Sequence, residues 1–178
     1  MDDIADKLGC SKKTLYVFFE NRKDLVLKVI SNDMKKHELE ISNVIAEKLH
    51  PIEEILSLNV IAINKLKTCH PSFQYDLKKY YPQSWNIFDK KNRQLTYKVS
   101  IQNLKKGIKE GCYRKEINPE IISKIFSEKI DVIFNSLAFE AINVSFSDVY
   151  KELINHHVLG IVNEEGRKYY LNFQKTTK

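Results

Sequence analysis

The sequence predicts an all-α chain, and three observations predict it. Glycine and proline are scarce, 5 and 4 in 178 residues, and they fall between apolar stretches rather than inside them. Between these breaks the apolar residues recur at the three-to-four spacing of a helix face. The residues at the breaks are helix caps and helix breakers: Gly9, Ser11, Asn21, Pro51, Gly111 and the pair Asn118-Pro119. The expected organisation is a small N-terminal module over residues 1–30 and a larger helical body over residues 31–178.

The module begins with Ile4, Ala5 and Leu8 on one face of a short helix. Gly9 follows, a residue that accepts positive φ without steric cost and so can reverse the chain. Ser11 can cap a second helix, its hydroxyl accepting an orphan backbone N–H. That helix carries Lys12, Lys13, Thr14 and Tyr16 on one side, and Leu15, Val17, Phe18 and Phe19 partly on the other. Asn21 is a good N-cap for a third helix, with Asp24 in its first turn. Two helices joined by a tight glycine turn have the shape that lays the second helix in a DNA major groove.

The third helix runs from Arg22 to about Leu49, with Val26, Ile30, Met34, Ile41 and Ile45 along one face. Pro51 fits the first turn of the next helix, whose pattern continues through Ile55, Val60 and Ile63 to about Lys67. Cys69-His70-Pro71-Ser72 is a break, and a short helix follows from Ser72 to Tyr80. After Tyr81-Pro82 a long helix is expected from Gln83 to about Glu110, with Gly111 as its C′ residue. Asn118 and Pro119 then supply a cap and an N1 proline. The helix from Glu120 to Asn143 is apolar on two faces, and one from Ser147 to about Val162 takes Ser147 as its cap. The connection between them is short, which predicts antiparallel neighbours. Two late helices with more apolar surface than one core needs predict a subunit interface. The tail from Glu164 reads as a fraying helical extension.

Net charge is +6 and the pI is about 9.0, a balance that favours a polyanionic partner. Between Gly9 and Lys23 stand Lys12, Lys13, Arg22 and Lys23 against Glu20 alone. A second basic stretch, Lys90 to Lys115, reads as a solvated helix face. Cys10, Cys69 and Cys112 are far apart and odd in number, which points to free thiols in a reducing compartment. There is no signal-like start and no apolar run of membrane-spanning length, so a cytoplasmic protein is expected, with no membrane partner. The histidines are scattered, and adjacent His156 and His157 point in different directions on a helix, so no metal site is expected. Neither a glycine-rich phosphate loop nor a nucleophile elbow is present, and neither a cofactor nor catalysis is expected.

The ordered run Ile4-Ala5, Leu8-Gly9-Cys10-Ser11, Thr14-Leu15-Tyr16, Phe18-Phe19, Asn21-Arg22 and Leu25 resembles the DNA-binding motif of the TetR (tetracycline repressor-like) family. That family usually has Val or Ile where Cys10 stands and Lys where Arg22 stands. Both departures keep the physics, a small buried residue and a cation near a phosphate. The resemblance implies that Thr14, Tyr16 and Arg22 clamp phosphates. Lys12, Lys13, Val17 and Phe18 lie where the family varies and so could read bases, next to the cap Ser11. Tyr16 and Phe18 can instead only pack the module.

The resemblance also implies a homodimer closed by a four-helix bundle, here helices 120–143 and 147–162 of each subunit. A two-fold dimer implies a pseudo-palindromic double-stranded DNA operator. It further implies a small-molecule effector, of unknown identity, bound in the larger domain. The aromatics Phe73, Tyr80, Trp85, Phe88 and Tyr97 are the candidate lining, since large rings with polar tips suit such a pocket. Plain core packing is the competing reading for each. Members of the family carry a further helix before this motif, so the native chain is expected to be longer. The expected function is a ligand-responsive transcriptional regulator, most simply a repressor. The alternative is a TetR-like helical dimer that binds a small molecule or a protein without binding DNA.

Overall fold

The computed structural model of the chain describes residues 1–68, 70, 72–134 and 144–176, without the side chains of residues 66, 130–134, 146 and 176. Among the described residues nine helices follow one another: α1 (Asp2–Leu8), α2 (Lys12–Phe18), α3 (Arg22–Ala46), α4 (Pro51–Thr68), α5 (Phe73–Tyr80), α6 (Pro82–Lys109), α7 (Pro119–Phe134), α8 (Phe146–Ile161) and α9 (Glu164–Thr176). The all-α class expected from the sequence is the class observed. The one backbone pairing outside helices among these residues is an antiparallel bridge between Tyr113 and Val162.

Local chemistry sets the boundaries. Gly9 ends α1 at φ 63°, and the Cys10 N–H behind it donates to the Ala5 carbonyl at 3.0 Å. Ser11 Oγ accepts the Thr14 N–H at 3.0 Å and starts α2. Asn21 Oδ1 accepts the Asp24 N–H at 3.0 Å, and the Asp24 carboxylate accepts the Glu20 N–H at 3.1 Å. Asn118 Oδ1 accepts the Ile121 N–H at 3.1 Å at the head of α7.

The cap of α8 is Ser145, not Ser147. Ser145 Oγ accepts the Asp148 N–H at 3.2 Å, and its hydroxyl donates to the Asp148 carboxylate at 2.5 Å. The feature that distinguishes Ser145 is the acid three residues on, whose carboxylate accepts the cap hydroxyl. The expected helix 120–143 appears as α7 to Phe134, and residues 135–143 lie outside the described residues. The expected break at Cys69 and Pro71 also falls there.

The C-terminal segment is not a fraying extension. Tyr170 of α9 is fully buried and donates to Asn155 Oδ1 of α8 at 3.0 Å. Tyr169 stacks on His50 at a centroid distance of 4.0 Å, and its hydroxyl donates to Glu53. Tyr170 of α9 therefore belongs to the main core, and Tyr169 ties the helix to the head of α4 at the surface. That core gathers Ile52 and Ile55 of α4, Leu104 of α6, Phe126 of α7, and Tyr150 and Val158 of α8. A smaller core joins Ile30 and Met34 of α3 to Leu77 of α5. Residue 30, the boundary expected from the sequence, lies inside α3, which runs unbroken from Arg22 to Ala46. The cations of the second basic stretch are partly engaged inside the fold rather than simply solvated. Arg93 binds Asp89 at 3.0 Å and Glu128 of α7, and Lys106 reaches buried Glu54 at 2.7 Å, while Lys105 pairs with Glu120 at 2.9 Å on the exposed surface.

No helix among the described residues is long and apolar enough to cross a membrane. No group of three or more His, Cys, Asp or Glu side chains that could hold a metal ion stands together among them.

Candidate functional site

Helix α2 is held from below and bare from above. Ala5 and Leu15 are buried between α1 and α2. Ser11, Lys12, Lys13, Thr14, Tyr16, Val17, Phe18 and Arg22 are all exposed. Val17 and Phe18 are 75% and 65% exposed, so Phe18 does not pack the interior of the module. Two apolar side chains standing free beside cations suit a surface that meets thymine methyls and phosphates. Lys12 pairs with Asp2 at 2.9 Å, an exposed contact that a phosphate can displace. Thr14 Oγ1 stands 2.8 Å from Ser11 Oγ, so its hydroxyl is oriented by the cap.

Lys28 anchors the far end of α2, a role that was not read from the sequence. Its ammonium donates to the Phe18 carbonyl at 3.0 Å and to Asp24 at 2.9 Å, and lies 5.5 Å from the centre of the Phe19 ring. The hydrogen bond from Lys28 holds the Asp24 carboxyl below its ordinary value. The i, i+4 spacing of Asp24 and Lys28 was the available signal. Through Lys28 the end of α2 is tied to α3 by two contacts, at the Phe18 carbonyl and the Phe19 ring, while the Asp24 bond lies within α3.

The five candidate aromatics do not come together. Phe73, Trp85 and Phe88 pack around the smaller core between α3, α5 and α6. Phe88 meets Phe73 edge-on at 6.1 Å and Trp85 at 5.7 Å, and Lys78 lies 4.5 Å from the centre of the Trp85 ring. Tyr80 is exposed at the end of α5. Tyr97 lines a surface groove between α6 and α7, with Ile121 and Ile125 on its other wall.

A cavity of about 80 Å³, partly open to solvent, lies elsewhere, among α3, α4, α6, α7 and α8. Its polar lining comes from His37, Asn59, Thr96, Ser100, Asn103 and Tyr150. Tyr150 donates to Asn59 Oδ1 at 2.8 Å, and Asn59 Nδ2 donates to the Ile55 carbonyl at 2.6 Å. Asn103 Nδ2 donates to the Pro51 carbonyl and to Glu54, both at 2.9 Å. The Tyr113 hydroxyl sits 2.9 Å from Asn103 Oδ1 and 3.1 Å from the Pro51 carbonyl. Burial raises the pKa of both phenols, which keeps them protonated donors. Burial and then the charge of Lys65 push the His37 imidazole down, toward its neutral form. None of these six residues was singled out in the sequence. Asn59 had one signal, a polar residue four after Ile55 and four before Ile63 on an apolar face.

No protein-family model matches the chain. It is 23% identical over 138 residues to the uncharacterized HTH-type transcriptional regulator YvaF of Bacillus subtilis, covering 76% of this chain and 70% of that protein. Three solved structures share its fold. The transcriptional regulator FadR of Bacillus subtilis in complex with stearoyl-CoA matches with a TM-score of 0.65 and 17% identity over 90% of this chain and 87% of that one. A putative transcriptional regulator from Saccharomonospora viridis in complex with choline gives 0.68 and 19% over 92% and 86%. The ketosteroid transcriptional regulator KstR2 of Mycobacterium tuberculosis gives 0.63 and 17% over 91% and 84%.

Proposed function

We propose, from the premise that this chain has the TetR-type fold, that it is a transcriptional regulator: a homodimer that binds operator DNA through α2 and releases it when a small molecule enters the cavity. The observation that carries the reading is α2 itself. It is capped by Ser11, anchored at Phe18 by Lys28, buried through Leu15, and presents an outward face of cations, hydroxyls and two uncovered apolar side chains. Thr14, Tyr16 and Arg22 are assigned to phosphates, and Lys12, Lys13, Val17 and Phe18 to base edges.

Coupling runs through α3. One 25-residue helix carries the cap Asn21 beside α2 at its start and His37 and Ile41 on the cavity wall further along. A ligand that favours one tilt of this rod shifts the population of dimers whose two α2 helices match successive major grooves. The segment from α7 through α8 is assigned to the dimer contact, with Ile121 and Ile125 exposed on α7. Relatives of the same fold solved with stearoyl-CoA and with choline support an effector-responsive reading. This is a binding protein's chemistry, not an enzyme's.

The test is selection from random duplexes by the purified chain, followed by affinity measurements over a salt series. The reading expects one pseudo-palindrome and a linear fall of log affinity with log salt. Failure to enrich any sequence overturns operator binding and leaves a helical dimer that binds other partners.

A further inference from the structure

The cavity has a chemical signature beyond its position. None of the residues that line it is Lys, Arg, Asp or Glu. The one carboxylate buried near it, Glu54, is already held by Lys106 at 2.7 Å and Asn103 at 2.9 Å. An ion entering there would lose part of its water and meet no charged side chain among the lining residues. The amides and the phenol are also mutually satisfied: Asn59 by Tyr150 and Ile55, Asn103 by Pro51, Glu54 and Tyr113.

His37 is the exception. Its Nδ1 is buried without a hydrogen-bond partner, and Glu40 Oε2 at 3.8 Å is too far to serve. The other buried side-chain atoms in this condition among the described residues, Ser123 Oγ and His157 Nε2, do not line the cavity. A buried, unpartnered polar atom on a residue that lines a cavity is a place that a ligand group can satisfy.

We propose that the cavity takes a small uncharged ligand whose polar group hydrogen-bonds to Nδ1 of His37. This deepens the regulator reading above and rests on it for the ligand's role. The volume of about 80 Å³ is roughly half that of a cavity that takes benzene, so the enclosed part of the ligand has about three non-hydrogen atoms. The neutral imidazole donates or accepts at Nδ1 according to tautomer, so an amide, alcohol or carbonyl group fits and a carboxylate or ammonium does not.

Three probes of matched size separate the cases: propionamide, propionate and propylammonium. Each is titrated to millimolar levels at pH 7.5 into ¹⁵N-labelled protein, with the His37 ring nitrogens, the Asn59 side-chain amide and the Tyr150 ring followed by NMR. Propionamide is expected to shift all three saturably, and the charged probes to leave them unmoved. In His37→Phe, checked for folding by its melt, the Asn59 and Tyr150 shifts should vanish, and in His37→Gln they should return. Equal or stronger shifts with propionate or propylammonium overturn the neutral-ligand inference. Shifts that persist in His37→Phe overturn the role of His37. Silence from all three probes means a cavity holding water alone and overturns the inference. Duplex selection on the same preparation keeps the two readings apart. A selected operator with silent probes sinks only this inference, and bound propionamide without a selected duplex sinks only the regulator reading.

Discussion

The ring of Tyr113 lies flat against the backbone of Gly107, so close that a Cβ on residue 107 would overlap its Cδ2, Cε2 and Cγ atoms. This contact lets the Tyr113 hydroxyl reach Asn103 and Pro51 and join the connection after α6 to the head of α4. Gly107→Ala should therefore destabilise the fold by overpacking, by about 1–3 kcal/mol in urea unfolding. The two residues are coupled, so the same substitution should cost clearly less in a Tyr113→Ala background. Equal costs in both backgrounds would refute the packing argument.

Glu54 and Lys106 make a second prediction. Glu54 is 5% exposed, and Lys106 reaches it while also binding the Leu49 carbonyl. Lys106→Met leaves a buried carboxylate with Asn103 as its remaining polar partner, and should cost about 2–4 kcal/mol. Adding Glu54→Gln removes the stranded charge and should restore a large part of the loss. A double variant as unstable as the single one would show that the lysine stem, not the charge, is what matters.

The local devices were legible in the sequence, and the long-range ones were not. Gly9, Ser11, Asn21 and Asn118 act on backbone within four residues, and each ends or starts the helix its position predicts. Ser145 shows the limit even there, since the sequence reading took Ser147 as the cap and the structure places the cap two residues earlier, with Asp148 as its partner. Asn59 showed only as a polar residue on an apolar face, and Asn103 not at all, because their partners Tyr150, Pro51 and Glu54 lie 49 to 91 residues away. The aromatics Phe73, Trp85 and Phe88 attracted notice by composition, yet composition cannot distinguish a packed ring from a pocket wall. Helix α9 looked peripheral because the residue it buries is a tyrosine, Tyr170, whose hydroxyl donates to Asn155 of α8, while Tyr169 reaches Glu53 of α4 from the surface.

The α2 surface predicts a division between salt dependence and sequence choice. Lys13 and Arg22 are exposed and assigned different duties, base edge and phosphate. Arg22→Ala should weaken binding to every selected duplex alike and reduce the salt slope by about one unit. Lys13→Ala should instead relax preference at one base position in each half-site, at about 1–3 kcal/mol of discrimination. Ser11→Ala should lower stability by about 1 kcal/mol through the lost cap and weaken operator binding with it. Affinity titrations over a salt series, with single-base variants of the selected duplex, read all three.

Acid should loosen this fold through His157. The imidazole is 8% exposed, stacks on Phe126 at a centroid distance of 4.4 Å, and has no partner at Nε2. Burial first, then the charges of Lys129 and His156, push its pKa from 6.5 down to about 4. The folded state thus binds fewer protons than the unfolded state between these values. Its contribution is fully present above about pH 6.5 and is lost as the pH falls toward 4. A shift of this size corresponds to an order of 3 kcal/mol. Carboxylates such as Glu128 and Asp148, held low by Lys124 and Ser145, lose stability in the same direction. The difference between wild type and His157→Phe isolates the histidine, because phenylalanine can keep the stack on Phe126 without titrating. Urea unfolding from pH 7.5 to 4 should show the variant gaining on wild type by up to that amount. Parallel curves would place the acid sensitivity in the carboxylates instead.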